Sequence, residues 1–118
     1  MYARDNDAAA EHVHQLPTGE QVEAASTALR MLADPTRLRL TWLLRTAERD
    51  VSSLVEATGA ARPAVSQHLA KLRLAGLVRA RRDGRRALYT LQGGHVRRLV
   101  EEALAAADHH LTGAPDHD

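Results

Sequence analysis

The chain has 118 residues, of which 44% are hydrophobic and only 3% aromatic, and its formal net charge is +1. This length fits one small domain with an aliphatic core, which favours packed helices over a β-sandwich, and the near-neutral charge excludes a generally basic nucleic-acid coat protein. The absence of cysteine excludes disulfide bonds, thiolate metal sites and thiol redox sensing, and the lack of a long apolar run or signal-peptide core predicts a soluble cytoplasmic protein with no membrane partner.

The two ends of the chain differ in pattern from its middle. Residues 1–19 lack a sustained apolar period and contain Pro17 and Gly19, so they are predicted to form a flexible N-terminal arm. Residues 112–118 are predicted to be a flexible tail. The span 20–111 carries the periodic patterns of secondary structure and is predicted to be the single folded domain.

Two helices are predicted at the start of this domain. Apolar residues recur at helical spacing between Gln21 and Leu32, on a face broad enough to be buried on two sides. Asp34 and Pro35 then stop the first helix and start the second, with Asp34 as N-cap and Pro35 at the first helical position. The second helix is predicted to end at about Thr46.

The next segment, residues 51–78, predicts two short helices separated by a tight turn at Thr58 and Gly59. Ser52 and Ser53 offer N-cap hydroxyls near the start of the first helix. The second helix, predicted over residues 61–75, has Pro63 in its first turn, where a missing N–H costs nothing. Its buried stripe is predicted to consist of Val65, Leu69, Leu72 and Leu77.

The outward side chains of that second helix carry hydrogen-bond donors and include no carboxylate: Arg62, Ser66, Gln67, His68, Lys71 and Arg73. A donor-rich, acid-free helix suits the major groove of double-stranded DNA, where such groups contact phosphates and base edges. The simpler alternative is an ordinary solvated helix face. His68 is left open between a phosphate contact and a packing residue.

After Gly76 the period changes from helical to alternating. Two such runs flank Asp83 and Gly84, a strong hairpin signal. Four arginines are predicted at the tip of this hairpin: Arg81, Arg82, Arg85 and Arg86. Eight Lys and Arg lie between residues 62 and 86 against a single acid, which favours a wing that contacts the DNA backbone over a merely solubilising hairpin.

Gly93 and Gly94 end the second strand, and a last helix is predicted from His95 to Leu111 on the basis of a regular apolar stripe. The order is therefore four helices, a hairpin and a final helix. The predicted fold is mainly α with a small β-hairpin, and this order is that of a winged helix-turn-helix.

Three segments carry a family resemblance. LRMLADPTRLRLTWLL, DVSSLVEATGAARPAVSQHLAKLRLAGLVRARRDGRRALYTL and the final helix together resemble the ArsR/SmtB family of bacterial metal-responsive repressors, over residues 24–111. The chain is most similar to the nickel- and cobalt-sensing members. The resemblance implies a homodimer formed through the terminal helices, a recognition helix in the major groove, a wing on the backbone, and a palindromic DNA operator.

The histidines of the last helix indicate a site that two chains would share. His95 and His109 are 14 residues apart, so they point in similar directions but are separated by roughly 21 Å along the axis. One helix cannot bring them to one metal ion. Two helices packed antiparallel about a two-fold axis would place His95 of one copy beside Asp108 and His109 of the other, twice per dimer.

The resemblance implies further limits on this site. Family members commonly start the last helix with Asp-x-His, but here the stretch is Gly93-Gly94-His95, and the usual second zinc-type histidine would fall at Ala106. The remaining candidate ligands are similar to the nickel/cobalt variant, in which further histidines complete a site of higher coordination: His95, Asp108, His109 and His110, with His12, His14 or His117. Imidazole and carboxylate donors suit Ni(II) or Co(II), with Zn(II) as a further candidate.

The sequence thus predicts a metal-responsive, DNA-binding transcriptional repressor. The alternative is a winged-helix regulator without a metal sensor, controlled by a protein partner. An enzyme is not expected, because the chain has no glycine-rich phosphate loop and no nucleophile elbow.

Overall fold

A computed structural model describes residues 15–113. Within them the chain forms five helices and two strands, in the predicted order: α1 (Gly19–Leu32), α2 (Pro35–Leu44), α3 (Val51–Thr58), α4 (Arg62–Leu74), β1 (Val78–Asp83), β2 (Arg86–Leu91) and α5 (Gly94–Thr112). This is the predicted winged helix-turn-helix, in which α3 and α4 form the helix-turn-helix and the two strands form the wing. Residues 1–14 of the predicted arm and 114–118 of the predicted tail lie outside the described residues.

The first helix begins earlier than predicted, inside the segment assigned to the arm. The Thr18 hydroxyl accepts a hydrogen bond from the Gln21 N–H (3.1 Å), and the Gln21 side-chain oxygen accepts one from the Thr18 N–H (2.9 Å). This reciprocal capping box satisfies two N–H groups at the helix terminus. The helix therefore starts at Gly19 although its apolar period begins later.

Of the two predicted N-caps, that of α2 is confirmed and that of α3 is wrong. Asp34 caps α2 as predicted, because its carboxylate accepts from the Arg37 N–H (3.0 Å). This helix ends at Leu44 and not at Thr46. For α3 the predicted serine cap is wrong. Asp50 is the N-cap and accepts from the Ser53 N–H (2.8 Å), since a cap needs the extended backbone found at Asp50 and Ser53 is already helical.

The turn between α3 and α4 follows the prediction. Gly59 has a φ of 73°, in the left-handed region that ends helices at low cost for glycine. The chain then enters α4 with Pro63 in the first turn. Val65, Leu69 and Leu72 of the predicted stripe are completely buried, whereas Leu77 is buried but lies beyond the end of α4. The core that they join is aliphatic, as expected, and consists of Leu32, Leu40, Leu44, Leu54, Val65, Leu69, Leu72, Leu77, Val78, Leu91 and Val100.

The wing is an antiparallel hairpin whose turn lies one residue later than predicted. Asp83 pairs with Arg86, so the two turn residues are Gly84 and Arg85, and Gly84 supplies the positive φ of 66°. The loop between α2 and α3 docks on the hairpin: Arg49 N donates to Tyr89 O (3.1 Å) and Tyr89 N donates to Arg49 O (2.8 Å). The wing is therefore bonded through the backbone to the start of the helix-turn-helix.

Truncating the buried face of α4 should destabilise the fold. Leu69 has 0% exposure, and we expect Leu69→Ala to lower the free energy of unfolding by about 2–5 kcal/mol, because it leaves a cavity that the core fills only in part. Leu74 lies five residues later on the same helix and is 91% exposed, so Leu74→Ala is the matched control and should change it little. Urea denaturation of both variants measures the difference, and equal losses would contradict the described packing.

Acid should weaken the start of α3. The Ser53 N–H, aided by the Arg86 guanidinium, holds the pKa of the Asp50 carboxyl below its usual range. A carboxyl whose pKa is lower in the folded state stabilises the fold above its unfolded pKa of about 3.9, and that stabilisation is lost as the pH falls through the folded value. Asp50→Asn keeps a capping oxygen but removes the charge.

We therefore expect Asp50→Asn to be less stable than the wild type at pH 7, and this difference to shrink as the pH falls below about 4. Urea denaturation across this pH range provides the measurement. A difference that stays constant down to pH 3 would show that the charge of Asp50 does not contribute.

Candidate nucleic-acid interface and metal-binding residues

Five of the six DNA-binding residues predicted on α4 have exposed side chains. Ser66, Gln67 and Lys71 are exposed on the side opposite the buried leucines, and Arg73 is exposed beside them. Arg62 is also exposed, but its Nη2 donates to the Ser52 hydroxyl (2.7 Å) and so joins the start of α4 to α3. No acid occurs in α4, so the surface offers donors to an anionic ligand.

His68 does not share the open face of α4. Its side chain is 22% exposed, and its Nδ1 accepts from Arg37 Nη1 (3.2 Å) while Nε2 lies 3.9 Å from a carboxylate oxygen of Asp34. Arg37 also donates from Nε to the carbonyl of Met31 (2.6 Å). These contacts favour the packing alternative for His68, which connects the recognition helix to the junction of α1 and α2.

Asp34 stands at the centre of this junction. The Arg37 N–H is the main cause that lowers the pKa of the Asp34 carboxyl, with a smaller contribution from the positive charge of the Arg37 side chain. The carboxylate therefore stays ionised beside the histidine. The same carboxylate oxygen thus caps α2 and lies 3.9 Å from His68 of α4.

The four wing arginines divide into two pairs. Arg81 donates from Nε and Nη2 to both carboxylate oxygens of Glu48 (2.7 and 2.8 Å), and Arg86 donates to Asp50 (3.3 Å) and Asp83 (3.2 Å). These contacts raise the pKa of both guanidinium groups, and the Arg81 hydrogen bond lowers that of the Glu48 carboxyl. Both arginines thus already have anionic partners inside the chain.

The other two wing arginines have no carboxylate partner among residues 15–113. Arg82 donates from Nη1 to the backbone carbonyl of Arg85 (3.2 Å), and the side chain of Arg85 is exposed at the turn. Among the four arginines predicted at the wing, these two are the ones without an ion pair inside residues 15–113. Glu48 and Asp50 were not predicted as partners of the wing, since nothing in the linear order of residues indicates that the α2–α3 loop lies beside it.

The candidate metal ligands remain apart within one chain. Among residues 15–113, the structure gathers no group of three or more His, Asp or Glu side chains that could hold a metal ion. His95 is exposed in the first turn of α5, where its Nδ1 accepts from Arg98 Nη2 (3.1 Å), so that in the neutral ring Nε2 carries the proton. Asp108, His109 and His110 lie at the opposite end of the helix. Because α5 is one continuous helix, any site that combines both ends requires a second chain.

The predicted ligands do not all lie on the same side of α5. Successive helical residues are rotated by about 100°, which places His109 and His110 within about 60° of the direction of His95, but Asp108 about 140° away from it. The buried Val100 points about 140° away from His95 and about 80° away from Asp108, so His95 lies opposite the buried face and Asp108 on its flank. Asp108 and His109, as adjacent helical residues, point about 100° apart, so His109 is better placed than Asp108 to share a site with a His95 side chain.

Apolar side chains are also exposed on the two terminal helices. Val22 and Leu29 of α1 are 50% and 54% exposed, and Leu99 and Leu111 of α5 are 37% and 82% exposed. Exposed apolar side chains grouped on helix faces are typical of protein–protein contacts.

A cavity of about 500 Å³ lies between α2, α3 and α5 and is lined mainly by apolar side chains, among them Leu38, Trp42, Leu43 and Leu104. None of the predicted site residues lines it, and it contains no pairing of a nucleophile with a base. In the described part of the chain, no helix has the length and apolar character needed to cross a lipid bilayer.

Comparison with known proteins agrees with this geometry. Residues 34–80 match the family described as "Bacterial regulatory protein, arsR family". The chain is 48% identical over 98 residues to the HTH-type transcriptional regulator KmtR of Mycobacterium tuberculosis, covering 83% of this chain and 75% of that protein. It is 42% identical over 91 residues to the HTH-type transcriptional repressor SmtB of the same species, covering 77% and 67%.

Solved structures give the same result. The homodimeric winged helix-turn-helix DNA-binding domain of a Mycobacterium bovis protein superposes with a TM-score of 0.75 at 33% identity, over 84% of this chain and 92% of that one. Sequence identity over most of the chain and the same arrangement of helices and wing lead to one conclusion. The chain belongs to the arsR family of bacterial regulatory proteins and is a DNA-binding transcriptional regulator, not an enzyme.

Proposed function

We propose that this regulator is a homodimeric repressor that senses Ni(II) or Co(II) through histidines shared between two copies of α5. The observation that carries the proposal is the placement of His95 at one end of α5 and of His109 and His110 at the other, on one side of a helix too long for a single chain to join them. Only an antiparallel pair of such helices would bring the two ends together.

The dimer is supported by the exposed apolar residues of the terminal helices. An antiparallel α5 pair would bury Leu99 together with the small residues Ala103 and Ala106, which lie on the same side as His95. Small side chains allow a close approach of the two helix axes. A two-fold axis near Glu102 then places His95 of one subunit beside His109 of the partner subunit, and does so twice.

The donor set fits these metals. The site would be built from imidazoles with a carboxylate and no thiolate, a combination that suits Ni(II) and Co(II), with Zn(II) as a further candidate. Metal binding through His95 Nε2 would move the ring proton to Nδ1 and release the hydrogen bond that Arg98 donates there. Asp108 points about 140° away from His95 around the helix, so we expect it to contribute less to metal affinity than His109. His12, His14 and His117, outside the described residues, are the candidates for the remaining positions.

On the DNA, α4 would lie in the major groove and the wing on the backbone. Ser66 and Gln67 would contact base edges, while Lys71 and Arg73 would contact phosphates. Two α4 helices of a dimer must be about 34 Å apart to occupy successive major grooves on one face, which implies a palindromic operator. Metal bound between the α5 helices would change that spacing and thereby operator affinity.

Removing one free wing cation should reduce the salt dependence of DNA binding. We expect Arg85→Gln to lower the slope of log affinity against log salt by about 0.9 per subunit in contact, or about 1.8 for a dimer, because one phosphate contact per subunit is lost. Fluorescence anisotropy with a labelled duplex enriched from a randomised pool gives the slope. Arg30→Gln removes an exposed cation from α1 and serves as the control with an unchanged slope.

Metal binding should depend on both ends of α5. Calorimetric titration with NiCl₂, CoCl₂ and ZnCl₂ should show tight binding of about one ion per subunit in the wild type and its loss in His95→Ala and in His109→Ala, because each site needs one residue from each subunit. His68→Gln, which removes a histidine from another helix, is the matched control and should bind metal normally.

Both α5 variants should keep their metal-free affinity for the enriched duplex, since neither residue lies on α4 or the wing. Weak metal binding that neither substitution changes would refute the shared site. That result would leave a winged-helix regulator controlled by a protein partner.

A further inference from the structure

We propose that Glu48 limits sequence-independent DNA binding by holding Arg81 away from the phosphate backbone. The inference rests on the proposed contact between the wing and DNA. It assigns a role to a residue of the α2–α3 loop, outside both the recognition helix and the hairpin. In this view two of the four wing arginines bind phosphates, and Glu48 keeps a third from doing so.

The contact between these two residues occupies the guanidinium in a defined way. Arg81 uses Nε and Nη2, one complete edge of its planar fork, to donate to both oxygens of Glu48 at 2.7 and 2.8 Å. Such bidentate pairs have the same geometry as an arginine–phosphate contact. The carboxylate therefore occupies one of the two edges through which Arg81 could bind a phosphate, and its negative charge neutralises the guanidinium.

Backbone pairing places Glu48 at this position. The next residue, Arg49, pairs with Tyr89 of β2, and Tyr89 pairs with Ala80 of β1, the residue before Arg81. The Arg49 side chain also donates to the Leu43 carbonyl (3.0 Å) and to the Ser53 hydroxyl (3.4 Å), which fixes the loop to both flanking helices. Glu48 is thus held beside Arg81 by contacts that do not depend on its own charge.

The ion pair between Glu48 and Arg81 contributes little to the stability of the fold. Its side chain is 37% exposed and that of Arg81 is 58% exposed, and pairs with this exposure contribute little to folding because water screens them. Asp50 differs, since it caps α3 while it contacts Arg86. Among the described contacts, Glu48 has none with a backbone N–H and none within the core. Its main effect is on the charge that the wing presents.

The consequence for DNA binding follows from counterion release. Each phosphate neutralised by a cation adds about 0.9 to the slope of log affinity against log salt, whatever the base sequence. A fixed carboxylate beside Arg81 removes one such contact per subunit and adds a repulsive charge. Binding to arbitrary DNA is thereby weakened, and the regulator is left more available to its operator.

The test is a double-mutant cycle on a 30-base-pair duplex of arbitrary sequence, titrated between 50 and 300 mM KCl. Glu48→Gln should tighten binding roughly 5- to 10-fold at 0.1 M salt and steepen the slope by about 0.9 per subunit in contact, because Arg81 becomes available. Arg81→Gln alone should leave the slope unchanged. Combined with Glu48→Gln, it should return the slope to the wild-type value.

Two results would overturn the inference: a lower slope for Arg81→Gln in the otherwise wild-type protein, or no change for Glu48→Gln. A matched control is Glu56→Gln, which removes an exposed acid from α3 that has no ion pair among residues 15–113. An equal gain in that variant would attribute the effect to net charge and would equally refute the role of Glu48. Urea denaturation confirms that each variant is folded.

Failure of the underlying wing contact can be recognised separately. If Arg85→Gln leaves the slope unchanged on the same duplex, the wing does not bind phosphates and the proposed function is wrong at that point. If Arg85→Gln lowers the slope while Glu48→Gln has no effect, the wing contact stands and only the inference about Glu48 is refuted.

Discussion

The backbone pairing between Arg49 and Tyr89 connects the parts of this protein that would meet DNA. A two-stranded hairpin is marginal on its own, and here the two hydrogen bonds to the α2–α3 loop add a short third segment to it. The same loop contains the cap of α3 and the acid that binds Arg81. The angle of the wing, the start of the helix-turn-helix and the charge at the wing are therefore determined together.

Much of the fold could be predicted because its signals are local. The cap at Asp34, the left-handed Gly59 and the alternation on either side of Gly84 are properties of a few neighbouring residues, and each was located to within a residue or two. The cap of α3 was misassigned because serine and aspartate compete for that role and only the backbone conformation decides between them. The start of α1 was missed because a capping box lies outside the apolar period that was used to detect the helix.

The candidate site could be predicted only in part. Composition identified the cations of α4 and the wing, but not which of them have internal partners, since Glu48 and Arg81 are 33 residues apart in sequence. Whether two side chains of one helix can reach the same site depends on the angle between them around the axis as well as on their distance along it. Axial spacing grouped Asp108 with His109, whereas the rotation between adjacent residues separates them. Contacts between distant segments are what the sequence did not reveal.

The half-buried Trp42 gives the protein a built-in optical reporter. It is the single tryptophan of the chain, Arg45 lies over its ring at 3.5 Å from the centroid, and it lines the same cavity as Leu104 of α5. Indole emission is sensitive to the polarity and charge of its surroundings, and the indole of Trp42 lies at the junction between α2 and the terminal helix. Intrinsic fluorescence thus reports on the movement of α5 against the helix that precedes the helix-turn-helix, without any added label.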